Sequence, residues 1–442
     1  MREAALELLE TIDKNQAYSN LLLNKTIEKN EIDSIDVGLL TELTYGTIQR
    51  KMTLDYYLEP SLTSGKKIES WVRNLLRVTL YQMVYLDRIP DRAAIYEAVE
   101  IAKKRGHKGI SGMVNGVLRN IQRKGLRDLA EIIDPIERLS VATSHPLWLI
   151  NRWVNQLGFD RTKAMCELNL TAPLQTSRVN LTKISREECV ARLENEGYQV
   201  QSSTILPEAI KCLKGNLASS KAFKEGLFTI QDESSMLVAH ALDINPNDVI
   251  LDACAAPGGK STHIAERLND TGSVISLDLH EHKVKLINSS AKRLGLNNIQ
   301  TKALDSKKVQ EHYDQESFDK ILVDAPCSGL GVIRRKPDMK YTKKAEDSTR
   351  LQEIQIELLN SVAPLLKKGG ILVYSTCTIE KEENSVVINS FLDSHQEFSG
   401  DPTMKERMPE AIQPLISDYS LQIVPQDFGS DGFFIASLRK KV

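Results

Sequence analysis

The chain has 442 residues, more than a single hydrophobic core usually holds, so two or three domains are expected. Hydrophobic residues make up 41% and charged residues 26%, and no apolar run is long enough to span a bilayer, which argues against a membrane protein. The opening MREAALELLE is amphipathic and acidic, without the apolar stretch of a signal peptide, and a cytoplasmic location is expected. The net charge of -2 conceals local patches, and six scattered cysteines without a CxxC pair argue against disulfides and structural metal.

Residues 1 to 140 read as helical throughout. Ile110, Met113, Val114, Val117, Leu118 and Ile121 form one apolar stripe, and Asn74 to Leu86 is apolar on nearly every side, which places it at the centre of a bundle. Lys103, Lys104, Arg105, Lys108, Arg119, Arg123, Lys124 and Arg127 follow one another with no acid between Ile101 and Arg127, a pattern that fits either a solvated helix face or phosphate contacts. Pro146 can begin a helix and Gly158 can end it, with Leu147, Ile150, Val154 and Leu157 on its buried side. Between 175 and 230 the strand-like runs TSRVN, YQVQS and LFTI flank a helix announced by the capping-box pair Ser185 and Glu188. The spacing predicts a small α+β module over 141–230, a spacer or an RNA-binding element.

From Pro246 onward an apolar strand, a loop and a helix alternate, the rhythm of a doubly wound parallel sheet whose chemistry lies at the strands' carboxyl ends. VILD runs into CAAPGGKST, placing Gly258 and Gly259 where backbone approaches a ligand closely. The next strand ends in Asp278, positioned to accept hydrogen bonds from a ribose, and later strands finish near Asp305 and Asp324. Four acids in register, counting Asp252, are poorly explained as surface solubility. Reading GGKST as a nucleoside-triphosphate loop fails, because a P-loop needs glycine where Cys254 stands, and Ala255, Ala256 and Pro257 do not provide its flexible cradle.

Cys327 in DAPCSG and Cys377 in YSTCT both follow strands on this edge, and either is a candidate nucleophile. A thiol of ordinary pKa, about 8.5, is mostly protonated at neutral pH, so a cation such as Lys260, Arg334 or Arg335 is needed beside it. His280 and His282 lack partners at metal-site spacing and read as surface residues, while His145 before Pro146 reads as structural.

DACAAPGGKST, DAPCSG, YSTCT followed by Glu383 and Asn384, and DGFFIASL together resemble the motif series of RNA cytosine-5 methyltransferases. ELTYGTIQR and MVNGVLRNIQR resemble the NusB-like domain joined to that core in the bacterial Sun/Fmu (RsmB) family, so the likeness spans nearly the whole chain. It implies an all-α NusB-like RNA-binding bundle over 1–140, a linker helix and α+β module over 141–230, and a Rossmann-like class I methyltransferase domain over 231–442. It also implies S-adenosylmethionine as cofactor and 16S ribosomal RNA as substrate, naked or in a partly assembled small subunit, with 5-methylcytosine as product. Transfer RNA and an inert assembly factor are the alternatives. A monomer without metal is expected.

Carried over by residue, the resemblance puts the cofactor on Cys254, Ala255, Ala256, Pro257, Gly258, Gly259 and Lys260, with Asp278 at the ribose, Asp305 near the adenine and Asp324 shared with the base. Leu304 stands where relatives often have glycine, which bears on Asp305. Cys377 becomes the nucleophile and Cys327 the group that assists release. Asp324 would protonate or hydrogen-bond the base at N3, which calls for a raised pKa. The basic stretch after DAPCSG, including Arg334, Arg335, Lys336 and Lys340, is expected to contact RNA phosphates.

Overall fold

A computed structural model describes residues 1–15, 19–62 and 68–442. The chain divides into two compact units, Met1–Ala172 with Ile333–Ala345, and Pro173–Val332 with Glu346–Val442. The expected module over 141–230 is therefore cut near residue 172. Its linker helix, Leu147–Leu157, belongs to the first unit, and its strands and the helix Arg186–Asn195 belong to the second.

The first unit is helical. Its centre is Ser70–Tyr85, where Val72, Leu75, Leu76, Val78, Leu80 and Tyr81 are all buried, as the all-round apolar pattern requires. Gly46 on Ser34–Gln49 lets the Tyr81 ring close in: a Cβ there would lie 2.1 Å from the ring. Helix Lys108–Lys124 buries Val114, Val117, Leu118 and Ile121 from the expected stripe, with Ile110 and Met113 packed at its edge. Leu147–Leu157 starts after Pro146 and stops at Gly158, whose φ of 82° suits glycine. Its buried face is turned from the expected one: Leu149, Ile150 and Trp153 are buried, whereas Leu147 is exposed.

In the second unit, strands β1 (Gln175–Val179), β2 (Gln199–Ser202), β3 (Ala209–Lys214) and β4 (Phe228–Ile230) form an antiparallel sheet in the order β2-β3-β1-β4. The helix Arg186–Asn195 carries the complete Ser185–Glu188 capping box. Strand β3, whose AIKCLK lacks a clean alternation, goes unmarked in the sequence reading.

The remaining strands are β5 (Val249–Asp252), β6 (Ser273–Asp278), β7 (Ile299–Ala303), β8 (Phe318–Asp324), β9 (Leu366–Thr376), β10 (Phe398–Gly400), β11 (Ile416–Ser417), β12 (Ser420–Ile423) and β13 (Phe433–Lys440). They form one sheet ordered β7-β6-β5-β8-β9-β13-β12-β11, with β10 beside β13. Strands β7 to β9 are parallel, and β13 turns the edge antiparallel.

Alternate strand residues serve two cores. Leu251, Ile321, Val323, Leu372 and Tyr374 pack with Leu358, Leu359, Val387 and Phe391 on one face. Ile250, Val274, Leu322 and Val373 pack with Met236, Ile264 and Leu268 on the other. Burial on both faces explains why these strands read as apolar runs. The chain leaves β5 toward β6 and β7, then returns to place β8 on the opposite side of β5. That reversal opens a crevice at the carboxyl ends, where such sheets bind their ligands. Among the described residues, no helix is long and apolar enough to cross a membrane.

Candidate active site

The loop after β5 is shaped by short-range geometry. Gly258 takes φ +102°, its N–H donates to the carbonyl of Ala255 at 2.7 Å, and Gly259 starts the helix Gly259–Leu268. A Cβ on Gly258 would press on the backbone of Ile287 at 3.1 Å. Asp252, at the end of β5, accepts from the Ser261 hydroxyl at 2.6 Å, while its other oxygen is buried without a partner. Burial pushes Asp252 up to about 7. Cys254, half-buried by its residue surface, has a thiol pushed far up by desolvation.

Asp278 ends β6 nearly buried, and its carboxylate accepts the backbone N–H of His280 at 3.1 Å. Asp305 caps the turn Ser306–Glu311, accepting from Lys307 N at 3.1 Å, so it has a local structural role whatever ligand it meets.

Strands β8 and β9 are neighbours, and the loops that leave them bring the two candidate thiols together: Cys327 Sγ and Cys377 Sγ are 3.4 Å apart. Asp324 lies beside them, with one oxygen accepting from Lys260 Nζ and the other from Ser375 Oγ, both at 2.7 Å. Burial works to lower the Lys260 ammonium, but Asp324, Cys377 and Asp252 outweigh it and hold the group above the usual lysine range. The Cys327 thiol is pushed far up, first by its hydrogen bond to Cys377, then by burial and by the carboxylates of Glu383 and Asp324. Lys260 interacts with Cys377, while Cys327 is surrounded by influences that keep its proton on.

Glu383 and Asn384 hold the thiol loops. Glu383 accepts from Ser328 N, next to Cys327, at 2.7 Å and from Gln355 Nε2 at 3.3 Å. Asn384 accepts from Thr376 Oγ1 at 2.6 Å and donates to the carbonyl of Thr378 at 3.0 Å, gripping both sides of Cys377. Behind them Gly331 N donates to Cys377 O at 3.0 Å and Gly432 N to Gly331 O at 2.9 Å. A Cβ on Gly331 would lie 2.0 Å from Gly432 O, so the DGFF segment must meet that loop backbone to backbone. Lys260 Nζ also lies 5.1 Å from the Phe433 ring centroid. Ser375, Thr376, Gln355 and Gly331 have no separate signal in the sequence reading, because their roles arise only when β8, β9 and β13 adjoin.

The basic stretch after DAPCSG requires correction. Arg334 and Lys340 are buried within the first unit. Arg334 donates to Thr171 and Ala172, and Lys340 Nζ donates to the carbonyl of Gln49 at 2.9 Å. Committed to the helical unit, these two are structural clasps and not exposed phosphate contacts. Arg335 and Lys336 remain partly exposed. The basic face of the bundle is also partly neutralised, since Lys103 pairs with Glu100, Lys104 with Glu3, Arg105 with Glu10 and Arg127 with Glu131. Arg119 and Arg123 turn to Gln122 and Asn120 instead.

The strand order and the chemistry gathered on its carboxyl edge define a Rossmann-like methyltransferase attached to a helical unit. Three family models match in series: the NusB family over 1–123, the ferredoxin-like domain of RsmF/B-like methyltransferases over 145–217, and 16S rRNA methyltransferase RsmB/F over 239–439. The chain is 54% identical to the probable ribosomal RNA small subunit methyltransferase B of Bacillus subtilis, covering 100% of this chain and 99% of that one. It is 34% identical to ribosomal RNA small subunit methyltransferase B of Proteus mirabilis, covering 99% and 98%. The crystal structure of PH0851 superposes with a TM-score of 0.83 at 27% identity, over 100% of this chain and 99% of that one. The chain belongs to the RsmB/F family of 16S rRNA methyltransferases.

Proposed function

We propose that this methyltransferase transfers a methyl group to C5 of a cytosine in 16S ribosomal RNA through a covalent bond between Cys377 and C6 of the base. The observation that carries the reading is the thiol pair, 3.4 Å apart and beside the Lys260–Asp324 ion pair. The polar groups around the β5 and β6 ends fit S-adenosylmethionine: Asp278 can accept the ribose hydroxyls, and residues 254–260 bring backbone to the ligand, beside the unpartnered oxygen of Asp252. That cofactor supplies an electrophilic sulfonium methyl. Asp305 is the proposed adenine contact.

C5 of cytosine is too weak a nucleophile on its own. Cys377, ionised with help from the Lys260 charge, forms an S–C6 bond, and the C5–C6 π electrons shift onto C5 and toward N3. Asp324, oriented by Lys260 and Ser375, stabilises the charge or proton that gathers at N3. After methylation the C5 proton leaves to a base, the C5=C6 bond reforms and the Cys377 thiolate departs. Cys327, at contact distance, is positioned to assist that elimination. The base must be unstacked to reach Cys377, so a single-stranded or opened RNA segment is the expected substrate. Arg335, Lys336 and the cations of helix Lys108–Lys124 are the proposed phosphate contacts.

Wild-type, Cys377→Ala and Cys327→Ala chains are to be incubated with radiolabelled S-adenosylmethionine and unmethylated 16S RNA. Cys377→Ala is expected to lose transfer, while Cys327→Ala accumulates a covalent protein–RNA adduct. An adduct from Cys377→Ala alone would exchange the two roles. Transfer to transfer RNA only would replace the substrate, and no transfer to any RNA would leave an RNA-binding assembly factor.

A further inference from the structure

Away from the thiols, three side chains that the methyl-transfer chemistry does not use converge within the second unit. Glu208 precedes β3 of the small sheet, His240 lies on helix Glu233–Ala241, and His263 lies on Gly259–Leu268. Glu208 Oε1 is 2.7 Å from His240 Nε2 and 3.5 Å from His263 Nε2, and one ligating atom from each residue falls within 4.8 Å of the others. Glu208 and His263 are buried, and His240 keeps 11% of its side chain exposed. They line a cleft of about 340 Å³ that opens to solvent beside Thr182 and Asn269.

A zinc ion bonds imidazole nitrogen and carboxylate oxygen at about 2.0–2.2 Å, so tetrahedral ligand atoms stand about 3.4 Å apart. The contacts here straddle that spacing, and three ligands from three elements leave a fourth position for water from the cleft. A carboxylate accepting from both imidazoles accounts for the contacts to Glu208, but it leaves His263 half satisfied. Its Nδ1 is buried with no partner, so no protein group on that side fixes the tautomer. A lone pair on His263 Nε2 facing Glu208 Oε1 would be repulsive, and either a proton on that nitrogen or a cation between the two relieves it. Two features oppose a cation there: the buried Arg178 guanidinium acts on His263, and the Arg267 guanidinium reaches His240 Nδ1 at 3.5 Å and favours the tautomer with its proton on Nε2. Arg267 is an exposed residue on the rim and can swing away.

We propose that Glu208, His240 and His263 form a binding site for a divalent transition-metal ion of the zinc type, which clamps the small sheet to two helices of the methyltransferase core. Ligation places the imidazole protons on Nδ1 and requires Arg267 to withdraw from His240, so Arg267 competes with the metal.

The full-length chain, stripped with a chelator, is titrated with ZnCl2 against a chromophoric competitor, and with CoCl2 while its visible absorption is followed. One ion per chain is expected, with cobalt absorption of a four-coordinate nitrogen–oxygen site. His240→Asn and Glu208→Gln each weaken binding about tenfold or more. Arg267→Gln, a rim substitution that spares the packing, tightens it. The double variant His280→Asn/His282→Asn, which removes the stacked surface pair, leaves it unchanged. Absence of stoichiometric binding overturns the site, as does unchanged affinity in His240→Asn or loss of binding in the His280/His282 variant. Should His240→Asn not fold, as judged by circular dichroism, unchanged affinity in Arg267→Gln overturns the proposal by itself.

Discussion

Cys327 and Cys377 are chemically the same residue, so any difference in their reactivity comes from their neighbours. Lys260 acts on Cys377, whereas Cys327 is held protonated by its partner sulfur, burial and nearby carboxylates. Lys260→Met should therefore slow iodoacetamide alkylation of Cys377 about tenfold at neutral pH, with Cys327 scarcely affected, as peptide mapping would show. Equal slowing at both would show that the Lys260 charge does not single out Cys377. Asp252 offers a test of burial. Its folded pKa of about 7 lies above the unfolded value of about 3.9, so the native state binds the extra proton between those limits. Its contribution to stability is full below pH 4 and is lost as pH rises through 7. Asp252→Asn should flatten the thermal-melting profile between about pH 4 and 7, by an amount on the order of 4 kcal/mol at the upper limit. Asp252 was legible in the sequence as one of four acids at strand ends. Its orphaned oxygen was not, because burial depends on what packs over the strand end.

Between elements, Arg178 on β1 is the clearest fastening. It is fully buried and donates to both oxygens of Glu266 at 2.8 and 2.9 Å, to Thr262 Oγ1 at 3.1 Å and to the carbonyl of Gly259 at 2.8 Å. It therefore ties the small sheet to the first two turns of the helix that follows the cofactor loop. Arg178→Ala strands Glu266 as a buried charge and should cost about 3–5 kcal/mol in chemical denaturation. Arg178→Met/Glu266→Gln, which removes both charges, should recover much of that loss while leaving the loop less well held. A KM for the methyl donor raised in the double variant, with kcat little changed, would assign Arg178 a positioning role beyond stability.

The segment Met339–Thr342 supplies a second element-scale test. Burial lowers Lys340 to about 7, so between pH 7 and the unfolded value of about 10.4 the unfolded chain binds the extra proton. Stability from this group is complete above pH 10 and declines as pH falls through 7. Lys340→Met should remove that slope and raise the melting temperature near pH 6; an unchanged profile would refute the assignment. The sequence showed Lys340 as one cation among several in a loop, and only its seat against Gln49 makes it a core residue.

For the whole molecule, the proposed RNA contacts set the salt response. Replacing Arg119, Arg123 and Lys124 together with glutamine should reduce the slope of log affinity against log salt by about 2–3, since each phosphate contact contributes about 0.7–0.9. Replacing Lys104 and Arg105, already paired with Glu3 and Glu10, should change it less. Filter binding of 16S RNA at several salt concentrations measures both, and equal slopes would show that pairing does not silence those charges.

The sequence alone determined the helical amino-terminal region, the capped helix after Ser185, the parallel core and the edge that carries Asp252, Asp278, Asp324, Cys327 and Cys377. These follow from local chemistry: apolar periodicity, caps, glycine turns and the fact that a βα rhythm puts loop residues on one edge. Tertiary structure decided the rest. It joined 333–345 to the helical unit, paired Lys104 and Arg105 of an apparently uncompensated basic face with acids of another helix, and brought Glu208 to His240 and His263. Such contacts link residues far apart in the chain, and no local period encodes their meeting. The surroundings of the two thiols belong to the same class, because an electrostatic environment exists only once the groups that make it are folded around the site.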